Sequence, residues 1–88
     1  MLDFTSFRCT KCENLSFEDC SLKNVSFKKS ELENCLFKNC KLINIDFSRS
    51  DLMDFNFINC KLNNVDFCAG ELTDIKFDNS KLQDVCFV

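Results

Sequence analysis

An all-β solenoid of short stacked coils is the fold this 88-residue chain predicts, and three observations predict it. Phe recurs at 7, 17, 27, 37, 47, 57, 67, 77 and 87 and Leu at 22, 32, 42, 52, 62, 72 and 82, so a large apolar residue falls at every fifth position, with Cys12 as the interruption. The residue two before each is small or apolar, as Val25, Ser30, Cys35 and Cys40 show in the stretch from Ser26 to Ile45 and just ahead of it. A third position is Asn or Asp repeatedly: Asn14, Asn24, Asn34, Asn44, Asp54, Asn64, Asp74 and Asp84. A period of five fits neither an α-helix nor a coiled coil. It fits a short extended segment closed by a corner. Alternate side chains of such a segment share a side, and Asn and Asp favour turns by bonding the nearby backbone.

Along the chain, each unit reads inward, outward, inward, outward, corner. Before Phe stand Leu15, Val25, Cys35, Ile45, Phe55, Val65, Ile75 and Val85; before Leu stand Cys20, Ser30, Cys40, Ser50, Cys60, Gly70 and Ser80. This ten-residue alternation fits a coil of two or four sides, not three. A square coil takes 20 residues and stacks like on like. Phe7, Phe27, Phe47, Phe67 and Phe87 then form one column and Phe17, Phe37, Phe57 and Phe77 another, with Leu columns between. About four coils at a strand spacing of ~4.8 Å make a single domain, 1–88, ~20 Å long. With no Pro and one Gly, ordinary hairpin punctuation is missing.

Apolar residues make up 45% and charged residues 28%, which is not a disordered composition. Eleven Phe with neither Trp nor Tyr mean one apolar shape used throughout. No apolar run approaches the ~20 residues that span a bilayer. No signal peptide is recognisable before the first unit, so a cytoplasmic location is expected, with the eight Cys as free thiols. A net charge of −3 is too small to imply a nucleic-acid or membrane partner.

These units resemble the pentapeptide-repeat proteins, whose repeat is a small residue, then Asp or Asn, then Leu or Phe, then two variable positions. The resemblance runs roughly from Leu2 to Val88. It implies a right-handed quadrilateral β-helix with four repeats per coil. This chain departs from the pattern in two ways. The residue before the centre is often Lys, Glu or Ser, and much of the Asn and Asp falls at the fifth position.

Every fourth unit shares a face of such a coil. One face gathers Glu13, Glu31, Glu33, Asp51, Asp54, Glu71 and Asp74 against Lys11; the opposite one gathers Lys23, Lys41, Lys61 and Lys81 against Asp84. Each wall reads either as a solvated surface or as a docking face, acidic toward a basic protein groove and basic toward an acidic partner. Some proteins of the resembling family are similar to duplex DNA in width and charge and bind DNA gyrase in its place. The acidic wall is compatible with that, but ~20 Å matches only about twelve phosphates, or six base pairs. End-to-end dimerisation would double the reach.

A β-solenoid exposes backbone groups and a slice of core at each end. The segment DVCFV continues the pattern through Phe87 and Val88, and no capping helix is expected. At the other end Met1 to Phe4 alone could form a lid. A homodimer joined at the coil end of Phe87 and Val88 is therefore expected. Leu36, Ile58 and Ile43, at outward positions, form a second self-association patch.

Cys20, Cys40 and Cys60 form an inward column, and Cys12 and Cys35 also point in; all read as small apolar packing residues. Parallel neighbours ~4.8 Å apart suit a disulfide poorly, and without His a zinc reading of this column lacks a common ligand. The Cys9–Cys12 C-x-x-C places Cys12 inside and Cys9 at a corner. Cys68 and Cys86 should face out, Cys68 beside the small corner Ala69–Gly70. Exposed thiols cross-link subunits on oxidation, which makes Cys68, then Cys86, the candidates for an intermolecular disulfide.

Catalysis finds no His, Tyr or Gly-rich phosphate loop, and the pairs Glu31/Glu33 and Asp51/Asp54 lie on a convex wall. Direct nucleic-acid binding lacks a basic surface with free stacking aromatics. No enzyme activity, metal or cofactor is expected. The expectation is a protein–protein interaction or structural module with an unidentified protein partner. The alternative is a DNA-mimic inhibitor or protector of DNA gyrase, a type II topoisomerase, acting through the acidic face.

Overall fold

A computed structural model of the chain describes residues 2–3, as backbone, and 11–87. Its strands are β1 (Leu2–Asp3), β2 (Lys11–Glu13), β3 (Ser16–Glu18), β4 (Ser21–Ser26), β5 (Glu31–Lys38), β6 (Lys41–Asp46), β7 (Asp51–Ile58), β8 (Lys61–Asp66), β9 (Glu71–Asp78) and β10 (Lys81–Cys86). They form two parallel sheets. One runs β1-β4-β6-β8-β10; the other runs β2-β5-β7-β9, with β3 also beside β5. Leu22 pairs with Leu42, Leu42 with Leu62 and Leu62 with Leu82, so one coil is 20 residues. Phe17, Phe37, Phe57 and Phe77 pair in the same register across the other sheet.

The corners follow the five-residue period: every fifth residue from Asn14 to Asp84 has φ between 50° and 60°. Asn and Asp hold most of them, as their tolerance of the left-handed region allows. Side-chain ladders reinforce three of these columns, Asn34 to Asn14 at 2.6 Å, Asn44 to Asn24 at 3.0 Å and Asn79 to Asn59 at 2.5 Å. One column differs. Lys29, Arg49 and Ala69 take φ of 59°, 55° and 57° without an Asx side chain. There the face of Phe27, Phe47 and Phe67 closes as a turn, not a strand. Hydrogen bonds between coils hold it: Lys29 N–H donates to Ser48 O at 3.1 Å and Arg49 N–H to Cys68 O at 2.9 Å.

Two Phe columns run through the core, with buried Leu, Val, Ile and Cys packed around them. Phe27, Phe47, Phe67 and Phe87 stack with centroids 5.0, 5.2 and 5.3 Å apart, and Phe17, Phe37, Phe57 and Phe77 at 4.9, 5.0 and 5.0 Å. This spacing is the strand spacing, so the register imposes the stacking. Between columns the rings meet edge to face, Phe37 against Phe47 at 84° and Phe47 against Phe55 at 90°, the favourable arrangement of ring quadrupoles.

Small residues two before Leu do more than leave room for these rings. Four of their hydroxyls and thiols donate to the Phe carbonyl one coil back: Cys40 to Phe17 at 3.3 Å, Ser50 to Phe27 at 2.8 Å, Cys60 to Phe37 at 3.1 Å and Ser80 to Phe57 at 3.0 Å. Gly70 has this place in its own coil. A Cβ there would lie 2.6 Å from the backbone oxygen of Ser50.

Candidate functional site

The solenoid's walls carry the chemistry it presents to other molecules. On the sheet of β2, β5, β7 and β9, Lys11, Glu31, Asp51 and Glu71 are consecutive cross-strand partners. Glu13, Glu33, Met53 and Thr73 form the parallel column. Glu13, Glu31, Glu33, Asp51 and Glu71 are all exposed, while Asp54 and Asp74 lie exposed on the adjoining corner, at φ 58° and 54°. Lys11 Nζ lies 3.8 Å from Glu31 Oε2, a solvent-screened pair of little energetic weight.

On the other sheet Lys41, Lys61 and Lys81 stack in register beneath Ser21. Lys23 is exposed but belongs to a different column, Asp3, Lys23, Ile43, Asn63 and Gln83. An open groove lined by the three stacked lysines with Ile43, Leu62 and Leu82 follows this wall. Like charges directly opposite one another on neighbouring strands destabilise a sheet. Both columns accept that cost.

Sequence reasoning placed the buried thiols correctly. Cys35, Cys40 and Cys60 are buried, and Cys12 and Cys20 are half-buried against the core. Burial pushes the Cys35 thiol up from 9.0 to about 11 and raises Cys40 and Cys60 as well. These groups are protonated packing residues at neutral pH, not nucleophiles. Leu36, Ile43 and Ile58 are half-buried rather than fully outward. Cys9, Val88 and the Met1 to Phe4 lid fall outside the described residues, Leu2–Asp3 being described only as a strand; Phe87 is 46% exposed and Leu82 42%.

The expectation for Cys68 and Cys86 is corrected. The two are bonded to each other within one chain, not between chains, and Cys12, Cys20, Cys35, Cys40 and Cys60 are free thiols. The reason is the turn face. Cys86 pairs in register with Asp66, and the turn folds Cys68 back over Asp66, whose Oδ1 accepts the Cys68 N–H at 2.7 Å. The same hydrogen bond recurs one coil earlier, from Ser48 N–H to Asp46 Oδ1 at 2.8 Å. An extended segment would have kept positions 66 and 68 far apart. The signal in the sequence was the separation of 18 residues, one coil less two, across a corner without Asn or Asp.

A filled parallel solenoid, four-sided and walled with charge, defines a repeat protein built of five-residue units. The chain belongs to the pentapeptide-repeat family: it matches the pentapeptide repeat region over residues 8–87. Among solved structures it is similar to a trypsin-treated form of QnrB1, a plasmid-mediated fluoroquinolone resistance protein. The TM-score is 0.62 at 17% identity, over 96% of this chain and 56% of that one. The likeness is one of fold, the right-handed quadrilateral β-helix, and this chain spans about half the length of QnrB1. No curated protein matches it.

Proposed function

We propose that this protein is a non-catalytic docking module of the cytoplasm, with its acidic wall as the face that engages a basic groove on a protein partner. The observation that carries this reading is the in-register column Glu31, Asp51 and Glu71. A solvated surface gains nothing from stacking like charges at every coil, whereas a cationic partner would be drawn to them. The opposite column, Lys41, Lys61 and Lys81, offers the complementary face to an acidic partner. The test is partner capture from native extract by wild type and by two triple variants. Glu31→Lys, Asp51→Lys and Glu71→Lys together should abolish capture, while Lys41→Glu, Lys61→Glu and Lys81→Glu together leave the acidic-wall partner bound. Retention of every partner by the acidic-wall variant overturns the proposal.

A second reading is inhibition or protection of DNA gyrase by the same acidic wall acting as a duplex mimic. The likeness to a fluoroquinolone resistance protein favours it; the size of the molecule, 27 × 25 × 25 Å, weighs against it as a monomer. A second copy docked at the exposed Leu82 and Phe87 would extend the wall. Purified protein should then inhibit supercoiling and sediment as a dimer at micromolar concentration. No inhibition, or a monomer mass at every concentration, removes the corresponding proposal.

A further inference from the structure

We infer that Asp66, Cys68 and Cys86, when the disulfide is reduced, form a binding site for a thiophilic divalent cation such as Zn²⁺. One ligand atom from each residue lies within 4.8 Å of the others. The two thiols stand on Cα atoms 5.9 Å apart. Asp66 is already oriented, because its Oδ1 accepts the Cys68 N–H and its strand neighbour is Cys86 itself. Asp46 stacks on Asp66 from the preceding coil, and the paired carboxylates favour a cation beside them. Thiolate and carboxylate are both zinc ligands, so the absence of His is no obstacle here. Three protein donors leave the fourth tetrahedral position for water.

Selectivity follows from the contrast with the core. Cys35, Cys40 and Cys60 are enclosed, and burial disfavours their thiolates. Cys68 and Cys86 are only half-buried and stand beside the Asp66 carboxylate, so a cation can reach them together. The chemistry balances in two steps. Two equivalents of a cellular thiol cleave the disulfide by exchange, leaving as their own disulfide and delivering one hydrogen to each Sγ. The cation then displaces both protons and bridges the two sulfurs and the Asp66 carboxylate. Asp66 and Cys68 belong to one coil and Cys86 to the next, so the metal replaces the covalent clip between the last two coils.

The test uses the whole chain, reduced with a phosphine that is then removed, and Co²⁺ and Zn²⁺ as probes. Reduced protein should bind one Co²⁺ with thiolate-to-cobalt charge-transfer absorption, and oxidised protein none. Cys68→Ser and Cys86→Ser should each abolish that absorption, and Asp66→Asn should weaken binding at least tenfold. Zn²⁺ should raise the melting temperature of the reduced wild type and leave the oxidised form unchanged. Equal binding by oxidised protein overturns the site without recourse to any variant. So does unchanged stoichiometry in Cys86→Ser, which would assign the metal to other thiols, and unchanged affinity in Asp66→Asn removes the carboxylate from it.

Discussion

At Ser50 a single hydroxyl joins three parts of the solenoid. It donates to Phe27 O at 2.8 Å and accepts from Ser30 N–H at 3.2 Å, and Ser50 is buried. Ser50→Ala removes both bonds and leaves a buried carbonyl without that donor, which should cost about 1–3 kcal/mol in urea denaturation. Cys60→Ser, by contrast, keeps a donor toward Phe37 O and should cost far less. The buried thiols set a pH limit. The folded state raises Cys35 from 9.0 to about 11 and so favours its neutral form. That contribution is fully present below pH 9 and is lost as pH rises through about 11. Urea midpoints should fall over this window in wild type and fall less in Cys35→Val. The residue pattern made the inward position of Cys35 legible; only the packed core sets how far its thiol moves.

For the strands the decisive interaction is the cross-strand neighbour twenty residues away. Asp51 on β7 lies between Glu31 on β5 and Glu71 on β9. Asp51→Lys turns two repulsions into two attractions and should raise stability by roughly 0.2–1 kcal/mol at low salt. The gain should shrink as salt is added, because the site is exposed. A stability unchanged or lowered at low salt would show that the column carries no strain. This ladder was readable from the sequence, because the period alone puts 31, 51 and 71 in line. The turn at Lys29, Arg49 and Ala69 was not. No Asx residue stands at its left-handed position, Asp46 and Asp66 bond it only from three residues earlier, and the backbone bonds between coils that hold it exist only once the coils are stacked. The Cys68–Cys86 pairing was hidden for the same reason, since it depends on that turn.

Across the whole molecule, stability comes from columns that every coil shares. Phe47 is fully buried, stacked on Phe27 and Phe67 and edge-on to Phe37 and Phe55. Phe47→Ala opens a cavity in the middle of the shaft and should cost about 3–5 kcal/mol. In a chain of 88 residues that approaches the entire folding free energy. Thermal melts should show a partly or wholly unfolded protein at room temperature. A fall of only a few degrees would mean that neighbouring coils close the gap, as nearest-neighbour coupling in solenoids permits.

By itself the amino-acid sequence determined the coil length, the inward set of Phe, Leu, Val, Ile and small residues, and the separation of acidic from basic walls. It could do so because a strict period converts position in the chain directly into position in space. Tertiary structure alone decided which face closes as a turn and that Cys68 meets Cys86 within one chain. Those outcomes depend on backbone geometry at a corner, where the side-chain alternation that made the rest legible no longer applies.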